Sequence, residues 1–417
     1  MKALSAIVVA LGTAMAVLGL VRPSEAAAAI DPNNVKLPAL LGSIFFDLNH
    51  TSGSWEACEG LSYLVEGDTE FVPYGMNETG YAQFAALSSY DPNRKCVVAY
   101  GYKTTDTSTN VLIFDAETGQ LVGPPVWVPV VSYEFPGVGI RMSHDHERKR
   151  TIITGPMESY GTSHGFYVVG DGHQESKDLG FTLEQIAPRG LFQLGYLEVL
   201  GTKLSAIDPS TGFFWEGVAR NSTDTKATEF LLLGVNPDEG RLEHSLVFPI
   251  GDCEVLGPLT WHEGSRTILM PTFRTGTREI IVGSFDPSAL TCVTMQSLPL
   301  ALLPYSGFMT FPPGQGNTTA TLMVNAASPA AGLQDAGTPN TEAVVLSRGL
   351  VSPPLQDAAG LTAAALRRLQ QGPPPSNPQM LVDFDLSTGE VVQRTGTVCM
   401  SGVAPGVGCP GQLHWAL

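Results

Sequence analysis

Gly411-Gln412-Leu413-His414-Trp415-Ala416-Leu417 closes the chain, and Ile30-Asp31-Pro32-Asn33 stands near its other end. The first stretch alternates apolar and polar residues as a half-buried strand does, yet no turn or second strand follows it. The second is a turn with no strand before it. Inside the chain the same two pieces occur joined, as in Gly80 to Ser89 running into Tyr90-Asp91-Pro92-Asn93. The two ends are therefore the halves of one interrupted unit. A ring of sheets avoids exposed edges when its first and last strands meet, and splitting one unit between the ends does this.

Working inward, the turns recur in three series. One is an apolar segment ending in Tyr90-Asp91-Pro92-Asn93, His144-Asp145-His146-Glu147, Ile207-Asp208-Pro209-Ser210, Trp261-His262-Glu263-Gly264 and Phe311-Pro312-Pro313-Gly314. A second is a run ending in Asp and a polar turn, at Phe46-Asp47, Phe114-Asp115, Gly170-Asp171, Asn236-Pro237-Asp238, Phe285-Asp286 and Phe384-Asp385. A third is a glycine opening a strand, at Gly80, Gly139, Gly195, Gly257, Gly307 and Gly411. Asp, Pro and Gly preset or tolerate turn dihedrals, so the series read as punctuation between short antiparallel strands. Most steps within a series are about 50 to 68 residues, giving strands A, B, C and D per unit.

The fold expected is all-β: a β-propeller of six four-stranded blades, its closing blade shared by the C-terminal strand and the N-terminal strands. In that closing blade, Phe46-Asp47 is expected in the C–D turn and strand D to end near Cys58. Residues 1–29 read as a signal peptide and 30–417 as one propeller domain. An Ala/Pro/Gly-rich insertion at 326–379 lengthens one B–C connection, and a seventh blade around Val344–Val351 is the alternative count. The turns at Phe114–Gly119 and Phe384–Gly389 resemble those of bacterial and eukaryotic propeller repeats, with one spacer residue fewer. That resemblance reaches a superfold, which hosts many functions.

Composition sets the compartment. A formal charge of −17 excludes a phosphate-backbone partner and offers no basic stripe to an anionic membrane. Lys2, the apolar run Ala3–Val21 and the small residues Ser24-Glu25-Ala26 form a leader, and no later segment is long and apolar enough to cross a bilayer. An uncleaved anchor is the alternative reading of the same run. Six cysteines suit an oxidising compartment, with Cys399–Cys409 the candidate disulfide. Sequons at Asn49, Asn77, Asn221 and Asn317 point to a secreted, extracellular glycoprotein. Up-and-down strand order puts D–A and B–C loops on one face and A–B and C–D turns on the other. Asn77 and Asn221 are then expected on the first face, Asn49 and Asn317 on the second.

Candidate sites follow from the same map. Alternation in strand A directs Gln83, Glu198, Thr260, Thr310 and His414 toward the central channel, with Arg141 joining if its blade is offset by one residue. A water-filled channel without a ligand is the competing reading. His144, His146 and His173 are weak candidates to hold zinc or copper, against a plain turn role for His144-Asp145-His146. Glu66, Asp68, Glu70, Glu134, Glu158 and Glu254 supply oxygen atoms of the kind calcium takes. Tyr133, Phe135, Tyr160 and Tyr305 offer stacking surfaces. Gly161-Thr162-Ser163-His164-Gly165 matches a hydrolase elbow, but a strand rather than a helix follows it. The chain is read as an extracellular module binding a protein or carbohydrate. The alternatives are a metal-dependent hydrolase of lactonase or esterase type, at the channel mouth, and a structural wall or matrix component.

Overall fold

The computed structural model describes residues 39–47, 57–64, 71–77, 81–103, 108–130, 140–157, 164–170, 175–186, 191–193, 204–221, 228–247, 253–255, 259–274, 279–298, 304–311, 318–325, 378–400 and 413–416, with Val35 and Leu37. The chain forms a β-propeller arrangement of small antiparallel sheets. The first combines β1 (Ala39–Asp47), β2 (Ala57–Leu64) and β3 (Phe71–Asn77). Then come β4 (Tyr81–Asp91), β5 (Cys96–Lys103), β6 (Thr109–Asp115) and β7 (Val126–Val128). A third sheet holds β8 (Arg141–Asp145), β9 (Arg150–Pro156), β10 (His164–Gly170) and β11 (Lys177–Thr182), followed by one helical turn, α1 (Leu183–Ile186).

Two sheets have a divided first strand. β12 (Leu191–Gln193) and β13 (Ser205–Asp208) both pair with β14 (Phe213–Asn221), which continues to β15 (Thr228–Asn236) and β16 (Arg241–Val247). Likewise β17 (Cys253–Val255) and β18 (Thr260–His262) both pair with β19 (Thr267–Arg274), ahead of β20 (Glu279–Asp286) and β21 (Thr291–Leu298). The remaining internal sheet is β22 (Pro304–Thr310), β23 (Thr319–Asn325), β24 (Pro378–Asp385) and β25 (Val391–Met400). Finally β26 (Leu413–Ala416) returns to the first sheet and pairs with β1, Leu41 opposite His414 and Leu40 opposite Trp415. The order β26-β1-β2-β3 joins the two ends of the described chain in one sheet.

The core explains why the B strands are apolar on both faces. Successive residues of a strand point to opposite sides. Cys96, Val98 and Tyr100 of β5 pack with Met142 and Ile153 of the following sheet, while Val97 and Ala99 pack with Leu41, Leu61 and Tyr74 of the preceding one. Ile153 faces one neighbour and Ile152 the other, among Phe166, Phe214 and Val218. Leu231 and Leu233 likewise point one way and Leu232 the other, onto Trp215 and Phe285. The second, third and fourth sheets are thus each sandwiched between two others, and each fully buried Val or Leu contributes about 1.5–3 kcal/mol.

One turn design recurs throughout. A carboxylate or amide at the strand's last residue accepts backbone N–H bonds two and three residues on. Asp91 Oδ1 takes them from Asn93 (2.9 Å) and Arg94 (3.2 Å), and Asp115 Oδ1 from Glu117 (3.1 Å) and Thr118 (2.7 Å). Asn236, Asp286 and Asp385 repeat the pattern. Four residues beyond each lead residue, the chain turns left-handed: Lys95, Gly119, Lys149, Gly212, Gly240, Arg266, Leu290 and Gly389 all have φ between 50° and 78°. Glycine is free there, whereas a side chain costs about 1–2 kcal/mol.

The closing sheet corrects the expected assignment. Phe46-Asp47 ends strand B rather than marking a C–D turn, Cys58 lies within strand C, and strand D runs Phe71–Asn77. An Asp-terminated strand occurs at the B–C step too, so the marker alone does not fix which step it punctuates. Asn49 falls in sequence between β1 and β2. Asn49 itself, Asn317, the leader, Ile30–Asn33 and most of the 326–379 insertion lie outside the described residues. Within that insertion Pro378 and Gln379 belong to β24, paired with Met400 and Cys399. Among the described residues no disulfide is present, and no helix is long and apolar enough to cross a membrane.

Candidate functional site: a cavity among the A–B turns

The A–B turns of neighbouring sheets are locked to one another. His144, on β8, donates from Nε2 to Asp91 Oδ2 at the end of β4 (3.1 Å), and its Nδ1 lies 3.0 Å from Thr151 Oγ1. Asn93 Nδ2 donates to the His146 carbonyl (3.0 Å). On the other side, Arg148 Nη1 donates to the Pro209 carbonyl (2.8 Å) and to Asp145 Oδ2 (3.3 Å). Ser143 and Ser205 share a hydroxyl hydrogen bond of 3.0 Å, and the His262 ring sits 4.4 Å from that of Phe311. Arg150 clamps Asp238 of the next sheet, holding that carboxyl below its usual range. Turns fixed at both ends present their tips in one geometry.

Asp91 is the tightest of these joints. Burial alone would raise its carboxyl, but hydrogen bonds from His144 and Arg94 outweigh it and hold the group well below the usual carboxylate range. A depressed carboxylate stabilises the fold fully above the unfolded value of about 4, and loses that contribution as pH falls through the folded value. Asp91→Asn is therefore expected to cost about 2 kcal/mol at pH 7. The gap from the unsubstituted protein should narrow in urea titrations below pH 4. An equal gap at pH 7 and pH 3 would exclude this account.

Between three such turns lies a cavity of about 840 Å³, lined by Glu147, Arg148, Pro209, Ser210, Trp261, Glu263, Gly264 and Arg266. Trp261 is partly buried against a cluster containing Leu259 and Ile268, and its indole N–H donates to Glu263 Oε2 at 2.7 Å. That bond fixes the ring plane and occupies its polar atom, leaving an aromatic face. Arg148 lies across Gly212, where an added Cβ would come within 2.6 Å of Cζ. Glycine serves twice at this turn: it takes φ of 78° and leaves room for the guanidinium. The cavity offers hydrogen-bond donors and acceptors of both charges around one aromatic plane, and its size suits a small ligand.

The residues singled out from sequence fall on several elements. Gln83, Thr260, Thr310 and His414 fall on β4, β18, β22 and β26, first strands of their sheets. They pair with Gly101, Leu269, Thr321 and Leu41. Arg141 is fully buried with Glu216 Oε1 3.7 Å from its Nε, directed into the seam between two sheets. His146 lies 3.6 Å from Glu147, while His144 engages Asp91 and Thr151 with its two ring nitrogens. His164 and Gly165 already lie within β10, as a strand following the elbow-like motif requires. Glu254 and Tyr305 fall in β17 and β22. Glu198, His173, Glu66, Asp68, Glu70, Glu134, Glu158, Tyr133, Phe135 and Tyr160 lie outside the described residues.

Sequence reading passed over Arg148, Trp261, Glu263 and Arg266 because each sits in, or just after, a segment already explained as a turn. The usable signal was their shared offset: Arg148, Lys149 and Arg266 occupy the fourth and fifth turn positions that Arg94 and Lys95 occupy in their own sheet.

No protein-family model and no curated protein matches the sequence. The structure is similar to that of a protein assigned as TolB from Agrobacterium tumefaciens, with 8% identity over 90% of this chain and 92% of that one (TM-score 0.41). It is also similar to a chain of a nidogen/laminin complex, with 12% identity over 69% and 85% (TM-score 0.38). A third similar structure is an oligogalacturonate lyase from Vibrio parahaemolyticus, with 8% identity over 87% and 86% (TM-score 0.37).

Proposed function

We propose that this chain is a secreted glycoprotein, a six-bladed β-propeller that binds an extracellular protein or carbohydrate in the cavity between its A–B turns. The leader at residues 1–29, the four sequons and the six cysteines support secretion. The succession of described sheets, with β26 returning to β1, supports the blade number. What carries the binding reading is the interlocking of Asp91, His144, Arg148 and Pro209 around a cavity that contains a pinned tryptophan. A site held rigid before its ligand arrives loses less conformational freedom on binding.

The test is a printed array of glycans and extracellular-matrix proteins probed with the full chain secreted from a eukaryotic host. Binding to a discrete subset is expected, with the signal reduced at least tenfold by Trp261→Ala while the thermal melt stays within a few degrees. An array that stays blank, or signals that Trp261→Ala leaves unchanged, would remove the cavity as the binding site. Treatment with an amidase that removes N-glycans should lower the apparent mass of the secreted protein. An unchanged mass would remove the glycoprotein part of the reading.

A further inference from the structure

We propose, on the reading of this cavity as a binding site, that its ligand is a saccharide bearing a carboxylate or sulfate. The acidic group is held by Arg148 and the sugar ring is laid on Trp261. The local charge is the first observation. In a chain with 40 acidic and 23 basic residues, five of the basic ones (Arg94, Lys95, Arg148, Lys149 and Arg266) stand in the A–B turns, and Arg150 opens β9. The aspartates of those turns are turned inward: Asp91 and Asp145 are fully buried and Asp208 nearly so, each capping its own turn. Asp145 alone faces two guanidiniums, with Arg148 Nη1 at 3.3 Å and Arg150 Nε at 3.7 Å. Arg150 is also paired with Asp238 of the next sheet, so Arg148 and Arg266 are the two guanidiniums at the cavity wall.

Geometry selects the kind of anion. Arg148 is anchored through Nη1 to Pro209 and backed by the Gly212 backbone, yet its side chain stays one-third exposed (33%). A planar guanidinium held this way presents donors in a fork that matches carboxylate or sulfate oxygens. Trp261 supplies a flat apolar face on which the C–H bonds of a pyranose ring can lie, its own N–H being spent on Glu263. Glu147, Glu263 and Ser210 then offer acceptors and a hydroxyl to sugar hydroxyls around that ring. A volume of about 840 Å³ accommodates more than one sugar unit.

Titration calorimetry on the secreted full chain tests this, with an oligouronate from alginate, a chondroitin sulfate oligosaccharide and uncharged cellohexaose as probes. At least one acidic probe is expected to bind at least tenfold tighter than cellohexaose, and the two acidic arms separate carboxylate from sulfate. Arg148→Gln should weaken the acidic probe about tenfold or more. So should Gly212→Ala, which keeps the arginine but displaces it. Arg241→Gln, on the outer strand of its sheet, should change nothing. Thermal melts of each variant confirm that it is folded. If cellohexaose binds as tightly as the acidic probes, or if Arg148→Gln and Gly212→Ala bind them as well as the unsubstituted protein, the inference fails. The same holds if no probe binds while a Trp261-dependent array signal to a peptide or protein persists, and the binding-module reading then stands. Loss of the array signal as well would take that reading down too.

Discussion

A chain ending at Gln412 is expected to lose its cooperative unfolding transition and to self-associate. The five residues removed include all of β26, which pairs Leu413 with Gly42, His414 with Leu41, Trp415 with Leu40 and Ala416 with Ala39. Leu413 and Ala416 are buried, and Ala416 belongs to the core shared by β1, β2, β5 and β6. The strand also touches β22 on one side and β4 on the other, so it stands between the last sheet and the second. Losing a few backbone hydrogen bonds at about 1 kcal/mol each, one buried leucine at about 2 kcal/mol and the contacts of two neighbouring sheets removes most of a typical margin of about 5–15 kcal/mol. The exposed edge of β1 would then be a template for pairing with another copy. Size-exclusion chromatography and urea unfolding followed by circular dichroism read both effects. A synthetic peptide of residues 411–417 should restore part of the monomer by taking the vacant place. A truncated chain that stays monomeric with an unchanged midpoint would mean that the ring is held shut by something other than this strand.

The same strand shows what sequence can and cannot reveal about this fold. Alternation in Leu413-His414-Trp415 and the isolated turn at Ile30–Asn33 are local patterns, and local patterns predict strands and punctuation well. Recurrence of Asp at the strand ends was legible because the Asp side chain itself makes the turn, as Asp115 and Asp385 do. Strand identity within the closing sheet was not, because Asp47 ends a strand in the same way at a different step. Nor was the division of β12 from β13. Its register depends on β14 pairing with two separate segments, which is a long-range fact. The cavity was hidden for a related reason. Glu147, Ser210 and Trp261 are distant in sequence and ordinary in composition, and they become a site only when three turns are brought side by side. Polarity at a strand position likewise does not say whether a side chain meets water or a buried partner. Arg141, a channel candidate if its blade is offset by one residue, is fully buried beside Glu216.

That buried pair carries the other large expected effect. Replacing Glu216 with glutamine should lower stability by about 3–5 kcal/mol, because it removes the negative charge beside a guanidinium that has no exposed surface. Burial pulls Arg141 down to about 10 and the Glu216 charge pulls it back up, so the pair is needed mainly to offset a cost that burial imposes. It follows that the double variant Arg141→Met with Glu216→Met should recover the loss and unfold within about 1 kcal/mol of the unsubstituted protein, or later. A single substitution costing under about 1 kcal/mol would show that the guanidinium is relieved by groups other than Glu216. The pair belongs to a polar seam: Ser143 and Ser205 bond across it, and Ser205 stands opposite Glu216 in the sheet register. On its other side β8 is joined to Asp91 through His144. Apolar side chains between sheets tolerate sliding, whereas these paired polar groups meet at one stagger only. The double variant is therefore expected to keep its stability while the amides of β13 exchange hydrogen faster, with less of the seam left to fix β13 against β8. Unchanged exchange at β13 would assign the stagger of the two sheets to packing alone.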